Sequence, residues 1–384
     1  MIVIKDVYID KDDDVSTLVT DMTVNGMLNR LKISCNEDYE KYMVTENCDA
    51  ALSFMVEWAM KKRMDIVCEV PVTSEFLYNM HELVKISCVF SPRLYPTKIK
   101  AKTIKALPSE GAVVTSASMG VDSLFAINKF YNHPIGEFKL THLMHNDVLE
   151  FRDLRSRFIK GGMSKDDALK TSEVVKENFR KNAQAAADEL DLPLLKFDTN
   201  ISRWGVNSNN FLFAAVYAYV GHSFQKLFGK VVVGGGHDLT HFSLDDIFAK
   251  DTSCHELFNT HIFSTNNLSF VPDGLIDDRL DRTAAIANFP IAQRHLNVCW
   301  LTKDGVQCNT CGKCMRTILM LDYFDCLEKF GNIFDVDFYK KNFKKYKECL
   351  LDTTQVSSNL RLGGERYRAV IEKILQKREP LTRS

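Results

Sequence analysis

The chain lacks any apolar run close to the roughly 20 residues that span a bilayer. Its opening stretch, MIVIKDVYIDKDDD, turns acidic where a secretory leader needs a longer apolar segment. A cytoplasmic protein with no membrane attachment is the expectation. An excess of charge is also missing: 49 Lys and Arg face 50 Asp and Glu, a formal net charge of −1. That balance supplies no global attraction to nucleic acid or anionic lipid, although a local basic patch is invisible to the sum. Cysteine is too sparse for a disulfide scaffold, at 11 in 384 residues. Two phosphate-binding signatures are absent, because neither G-x-x-x-x-G-K-[ST] nor G-x-G-x-x-G occurs anywhere.

What is present is enough apolar sequence for a full core. With 384 residues, 45% hydrophobic and 26% charged, the chain is expected to divide into two or more domains. Residues 1 to about 106 mix strand-like runs (IVIKDVYI, STLVTDMTV, NRLKIS) with two helix-like ones, CDAALSFMVEWAMKKR and SEFLYNMHELVKIS, the second behind a serine suited to capping. The prolines and glycine of YPTKIKAKTIKALPSEG close this segment, which places a boundary near residue 108. The expected division is an N-terminal α+β domain over 1–108, a second domain over 109–334 and a helical extension over 335–384.

From residue 111 strands and helices alternate: AVVTSAS, a helix from about 121, KLTHLMH, the long SKDDALKTSEVVKENFRKNAQAAADEL, LPLLKFDTN, NFLFAAVYAYVGHSFQKLF and KVVVGGG. Short apolar runs separated by crossover helices predict an α/β fold with a doubly wound, mostly parallel sheet. In such sheets ligands bind beyond the carboxyl ends of the strands. VVTSASMGVDSLFAI, residues 113–127, occupies one such end. Free N–H groups and the dipole at a helix start favour an anion, and Ser118, Gly120 and Ser123 suit close approach to a phosphate. A simple strand-to-helix turn, with a capping serine and a first-turn aspartate, explains the same residues without a ligand.

The second constellation is VCWLTKDGVQCNTCGKCMRT, in which Cys299, Cys308, Cys311 and Cys314 are spaced C-x8-C-x2-C-x2-C. Four thiolates suit a closed tetrahedral zinc site with a structural role; an iron–sulfur cluster, or reduced cysteines without metal, are the alternatives.

The hexapeptide SMGVDS, Ser118 to Ser123, resembles the S-G-G-x-D-S loop of the PP-loop ATP pyrophosphatases, with Met119 where that family has its first glycine. With the four-cysteine segment and the following Arg316, residues of roughly 110–320 look like the 7-cyano-7-deazaguanine synthase branch. Residues 1–106 and those after about 335 are not covered. The resemblance implies an ATP site in which Ser116, Ser118, Met119, Gly120, Val121, Asp122 and Ser123 hold pyrophosphate, Asp122 and Ser123 being catalytic and Asp122 meeting Mg2+. It adds His145, Gly234, Gly235 and Arg282 around ATP, and zinc on the four cysteines. His142, Asn146, Asp147 and Gly236 are secondary candidates, and DGLIDDRLDRTAAI sets Arg279, Asp281 and Arg282 at positions similar to an R-x-E-K element; a solvated helix face with i,i+3 ion pairs is the simpler alternative.

The activity so implied is ATP-dependent adenylation of a carboxylate or carbonyl oxygen, releasing pyrophosphate, followed by attack of ammonia or an amine. The product is an amide, a nitrile or a deazaguanine-type conjugate. Relatives with extra domains occur in anti-phage defence operons, so a protein partner from the same operon and a homodimer are among the assemblies implied. RNA thiolation is a second PP-loop use and predicts a basic binding domain and a catalytic cysteine pair. A nucleotide-binding regulatory protein without turnover is the third reading, suggested by Met119. Two further stretches have bland explanations: Ser164 of KGGMSKD suits an N-cap, and the basic YKKNFKKYKE at 339–348 suits an amphipathic helix rather than a nucleic-acid surface.

Overall fold

The computed structural model describes residues 1–12, 14–146, 154–204, 213–236, 239, 242, 256–299, 301–351 and 372–374. Along the chain the elements begin β1 (Ile2–Asp12), β2 (Val15–Val24), β3 (Met27–Asn36), α1 (Asp49–Lys62), β4 (Ile66–Cys68), β5 (Val72–Thr73), α2 (Ser74–Phe90), β6 (Ile99–Lys100) and β7 (Thr103–Ile104). Then come β8 (Ala112–Ser116), α3 (Val121–Tyr131), β9 (His142–Asn146), α4 (Leu154–Lys160), α5 (Lys165–Glu189), β10 (Leu194–Thr199), α6 (Phe213–Ser223), β11 (Phe228–Gly234), α7 (Glu256–Phe263) and β12 (Ser269–Asp273). The helices α8 (Arg279–Ile286), α9 (Pro290–His295), α10 (Gly312–Tyr323), α11 (Val336–Lys341) and α12 (Phe343–Leu351) follow.

Two compact units share these elements: Met1–Ser116, Phe130–Arg152 and Leu192–Leu275 form the first, Ala117–Lys129, Asp153–Asp191 and Ile276–Ser384 the second. The first unit contains a ten-stranded mixed sheet in the order β12-β11-β8-β9-β10-β3-β2-β1-β4-β6. Its strands pair in parallel from β12 to β10 and from β1 to β6, and antiparallel from β10 through β3 and β2 to β1. The fold is therefore α/β with a large, mostly parallel sheet. A break expected near residue 108 does not fall at a break in this sheet, because Cys35, Ser34 and Ile33 of β3 pair with Phe197, Asp198 and Thr199 of β10. A strand's partner depends on which edges remain open in space, and sequence segmentation does not see that.

Local chemistry accounts for the ends of these elements. β2 and β3 are joined by Asn25-Gly26, both at positive φ (50° and 83°), the two-residue turn whose twist matches its flanking strands. β8 is buried at Ala112–Thr115, as expected for a strand covered on both faces. Ser164 caps α5 through the Asp167 backbone N–H at 3.1 Å. Ser74 behaves differently from its expected capping role: it is the first helical residue of α2, and its hydroxyl donates to the Ile104 carbonyl at 3.0 Å. Thr73 precedes it without a side-chain cap. The basic run at 339–348 forms parts of α11 and α12, with Tyr339 and Tyr346 buried and Lys340, Lys341, Lys344 and Lys345 exposed, the amphipathic arrangement.

Gly229, in the first unit, leaves no room for a side chain. A Cβ on Gly229 would lie 2.8 Å from the Gly111 Cα, a backbone atom with no rotamer through which to retreat. Gly229→Ala is accordingly expected to lower stability by about 1–3 kcal/mol, read from denaturant midpoints.

His222 and Asp49 are both buried near the α1–α6 contact. Desolvation lowers His222 to about 4, opposed by its 3.0 Å hydrogen bond with the Phe263 carbonyl, while desolvation raises Asp49 to about 6 against the Thr73 backbone N–H it accepts. The neutral histidine stabilises fully above the unfolded value of about 6.5 and loses that contribution as pH falls toward 4. The protonated aspartate acts oppositely: its contribution is present at low pH and is lost as pH rises through its folded value near 6. Asp49→Asn is therefore expected to steepen the loss of stability between pH 6.5 and 4, exposing a histidine contribution on the order of 3 kcal/mol in a pH series of denaturant melts.

Candidate functional site

The site assembles in the second unit around the loop that precedes α3. Ser118 Oγ accepts the Gly120 N–H at 3.3 Å and lies 3.0 Å from Ser123 Oγ, which also donates to the Gly120 carbonyl at 3.2 Å. These contacts pin the loop onto the first turn of the helix. Met119 is buried and takes φ of +58°, the left-handed conformation that glycine adopts without steric cost. Its side chain adds an apolar anchor beneath that backbone shape. Its carbonyl accepts the Asn297 N–H at 2.7 Å, which ties the loop to the segment leading to the cysteines. Val121 begins α3 and is buried.

Asp122 is gripped by two guanidiniums. Arg279 Nη2 reaches its Oδ2 at 2.8 Å and Arg282 Nη1 its Oδ1 at 2.7 Å. Both arginines stand on α8 three residues apart, so they share a face. Their register is set by a capping box, in which Asp278 accepts the Leu280 and Asp281 N–H groups and Asp281 accepts the Asp278 N–H. Asp281 is thus a capping residue. The Arg282 side chain is only 3% exposed, and its Nε also donates to the Asp277 carbonyl at 3.0 Å. Desolvation pushes the Asp122 carboxyl upward, but the charges of Arg279 and Arg282 and their hydrogen bonds outweigh it and hold the group below the ordinary carboxylate value. The ion pair therefore persists through the physiological range. Its stabilisation is present above the unfolded carboxylate value and fades only as pH falls through the lower folded one.

The cysteines form the second feature. The sulfurs of Cys299, Cys308, Cys311 and Cys314 all lie within 4.8 Å of one another, with Cys311 to Cys314 at 3.5 Å and Cys308 to Cys314 at 4.0 Å. Thiolates about 2.3 Å from a tetrahedral zinc would be about 3.8 Å apart, so this set could hold one such ion. Backbone N–H groups of Cys308, Cys311 and Cys314 point at the sulfurs of Cys299, Cys308 and Cys311 at 3.3–3.5 Å, an arrangement that favours thiolate charge. The Cys299 thiol is pushed up to about 12, first by its hydrogen bond with Cys311, with burial adding to the rise. Four such groups suit a soft dication.

Sequence reasoning missed two residues that organise this region. Gln307, buried, accepts the Val298 and Cys299 N–H groups at 3.1 and 3.0 Å and donates to Asn297 Oδ1 at 2.8 Å. Asn297 is the residue that holds Met119, so a short polar relay joins the cysteine knuckle to the loop. Lys313 is the other. It stands exposed in the first turn of α10, whose N-cap is Cys311. Desolvation, then the charges of Arg279 and Arg316, lower its pKa, and Asp122 opposes them. Nothing in the spacing of CGKC marks that lysine as different from any other surface lysine.

Other expected residues belong to the first unit. Ser116 ends β8 half-buried, and His145 is a buried residue of β9 opposite Lys196. Gly234 ends β11 opposite Asp273, Gly235 is buried and donates to the Asp273 carbonyl at 3.0 Å, and Gly236 is exposed. His142 is half-buried, with its pKa lowered by desolvation against the pull of Glu110. Asn146 ends β9, and Asp147 lies outside the described residues.

Cys311→Ser is expected to reduce bound zinc from about one equivalent to well under half, by elemental analysis of purified protein, with a lowered thermal midpoint. Cys88→Ser, at an isolated half-buried thiol, serves as the control that leaves zinc unchanged. Comparison with known protein families, with curated proteins and with solved structures finds no match, so the functional reading rests on the chemistry of this chain's own loop, arginines and cysteines.

Proposed function

We propose that the protein is an ATP-consuming, AMP-forming carbon–nitrogen ligase of the PP-loop kind, related to the 7-cyano-7-deazaguanine synthase branch. The observation that carries the reading is Asp122, held between Arg279 and Arg282 at the start of α3 in a loop of serine and glycine. Lys313 and Arg316 bring further cationic charge to the same neighbourhood. A triphosphate suits such a place, because guanidiniums exchange one carboxylate for phosphate oxygens in the same forked geometry.

In this reading a carboxylate oxygen of the substrate attacks the α-phosphorus of ATP. The bond from the α-phosphorus to the bridging oxygen breaks, and pyrophosphate leaves onto the 118–123 backbone. Ser118, Gly120 and Ser123 lie where that charge develops, supported by the α3 N-terminus. Arg279 and Arg282 turn from Asp122 toward the phosphates; the freed carboxylate would hold magnesium, which would supply charge neutralisation. Ammonia or an amine then attacks the acyl carbon, AMP departs with the bonding pair, and a proton is released to solvent. The product is an amide or a conjugate; a second cycle of activation on an amide oxygen gives a nitrile. A zinc ion on the four cysteines would have all its positions filled and would act through structure, fixing α10 and, through Gln307 and Asn297, the loop.

The test is product analysis of ATP with magnesium, ammonia and a panel of carboxylates including 7-carboxy-7-deazaguanine. AMP and pyrophosphate in equal amounts, dependent on one panel member, are expected; ADP and phosphate would sink the mechanism. Asp122→Asn, which keeps shape while removing charge, is expected to lower turnover by 100-fold or more. Arg279→Ala, at the more exposed arginine, should lower it at least tenfold with little change in melting temperature.

A further inference from the structure

We propose that the first unit carries a separate binding cavity for a nucleoside phosphate. The cavity, of about 910 Å³, is lined by residues of that unit alone, among them Arg30, Lys32, Lys62, Arg203, Trp58 and Trp204. Its size falls within the range of small-molecule sites. Four cations face it, and among the described residues no carboxylate lines it. Arg30 is held from outside by Asp21 at 2.8 Å, whereas no ion pair joins Lys32, Lys62 or Arg203 to any described carboxylate. Like charges repel, so their convergence in a chain of net charge −1 favours an anion between them.

The aromatic half of the cavity defines the rest of the ligand. Trp58 and Trp204 stand edge to face, with ring centroids 5.3 Å apart and planes at 86°, and Lys62 Nζ lies 5.8 Å from the Trp58 centroid. An indole face offers stacking to a planar ring, while the neighbouring cations meet a phosphate. Met27 and Leu28, at the tip of the β2–β3 hairpin, add apolar surface to the lining and are otherwise exposed. A ligand with only charge would leave that surface wet, and one with only a ring would leave the cations unmatched. A base and a phosphate in one molecule satisfy both.

The walls are preorganised. Asn200 accepts the Lys32 N–H at 2.9 Å and donates to the Arg30 carbonyl at 3.0 Å, which fixes the turn carrying Arg203 and Trp204 against β3. The Asn25-Gly26 turn holds the opposite lip in its own fixed conformation. Asn200 spends one donor and one acceptor on this stapling, so stacking and charge carry most of the recognition. The cations share one cavity instead of tracking along a stripe, which favours a mononucleotide over a strand of nucleic acid.

Calorimetry with uridine and guanosine monophosphate, which lack the pyrophosphate that the 118–123 loop is proposed to take, tests this on the full chain. Saturable binding is expected. The double variant Lys62→Glu/Arg203→Glu changes two exposed side chains and should weaken it at least tenfold without lowering the melting temperature. Trp204→Leu should weaken it at least fivefold, and Asp122→Asn should leave it unchanged, which keeps this result separate from the fate of the ligase reading. Inorganic phosphate binding as tightly as either nucleotide would reduce the cavity to a bare anion patch and overturn the proposal. So would the absence of saturable binding, affinity unaffected by the charge reversal, or binding confined to oligonucleotides.

Discussion

A guanidinium almost wholly removed from water has to be neutralised, and in the second unit that requirement fixes the site. Arg282 is buried, and Asp122 is the carboxylate that meets it. Breaking a buried ion pair by removing one partner costs roughly 3–5 kcal/mol, far more than a surface ion pair contributes. The loop before α3, the capping box that starts α8 and the spacing of Arg279 and Arg282 can all be read as the structure needed to bring those charges together. In the proposed ligase reading, phosphate oxygens take over these arginines in the same forked geometry.

The cysteine knuckle and the loop form one mechanical system within that unit. Cys311 caps α10, and α10 contacts α8 through the Thr283 hydroxyl and the Met320 sulfur at 3.4 Å. On the other side, Gln307 and Asn297 hand the position of Cys299 to the carbonyl of Met119. A metal on the four sulfurs would thus hold both the helix carrying Lys313 and Arg316 and the backbone of the loop. Its value to the protein would lie in order, since four thiolates leave no coordination position for substrate.

In the first unit, the antiparallel joint between β3 and β10 has the comparable role. It makes one sheet from a meander and a parallel array, and the Asn200 side chain at its end continues the pairing for two more hydrogen bonds. The cavity with Trp58 and Trp204 exists because that joint brings the 200–204 turn beside β3, 168 residues away in sequence at the Lys32–Asn200 contact.

Much was legible before any coordinates. The alternating strands and helices after residue 111, the Ser164 cap and the clustering of four cysteines follow from periodicity, capping chemistry and ligand spacing, all of which are local. The loop residues Ser118, Gly120, Asp122 and Ser123 were legible for the same reason. The expected boundary at 108 does not coincide with a break in the sheet, Ser74 begins α2 instead of capping it, and Gln307, Lys313 and the tryptophan cavity left no signal at all. Each of these depends on a partner distant in sequence or on which polar atoms remain open after packing. The sequence by itself determined the elements, the four thiols and the chemistry of the loop, because those properties reside in a few neighbouring residues. Only the tertiary structure decided which arginines meet Asp122, which strand closes the sheet and where cations gather without a carboxylate, because charge and hydrogen-bond pairing are settled in space.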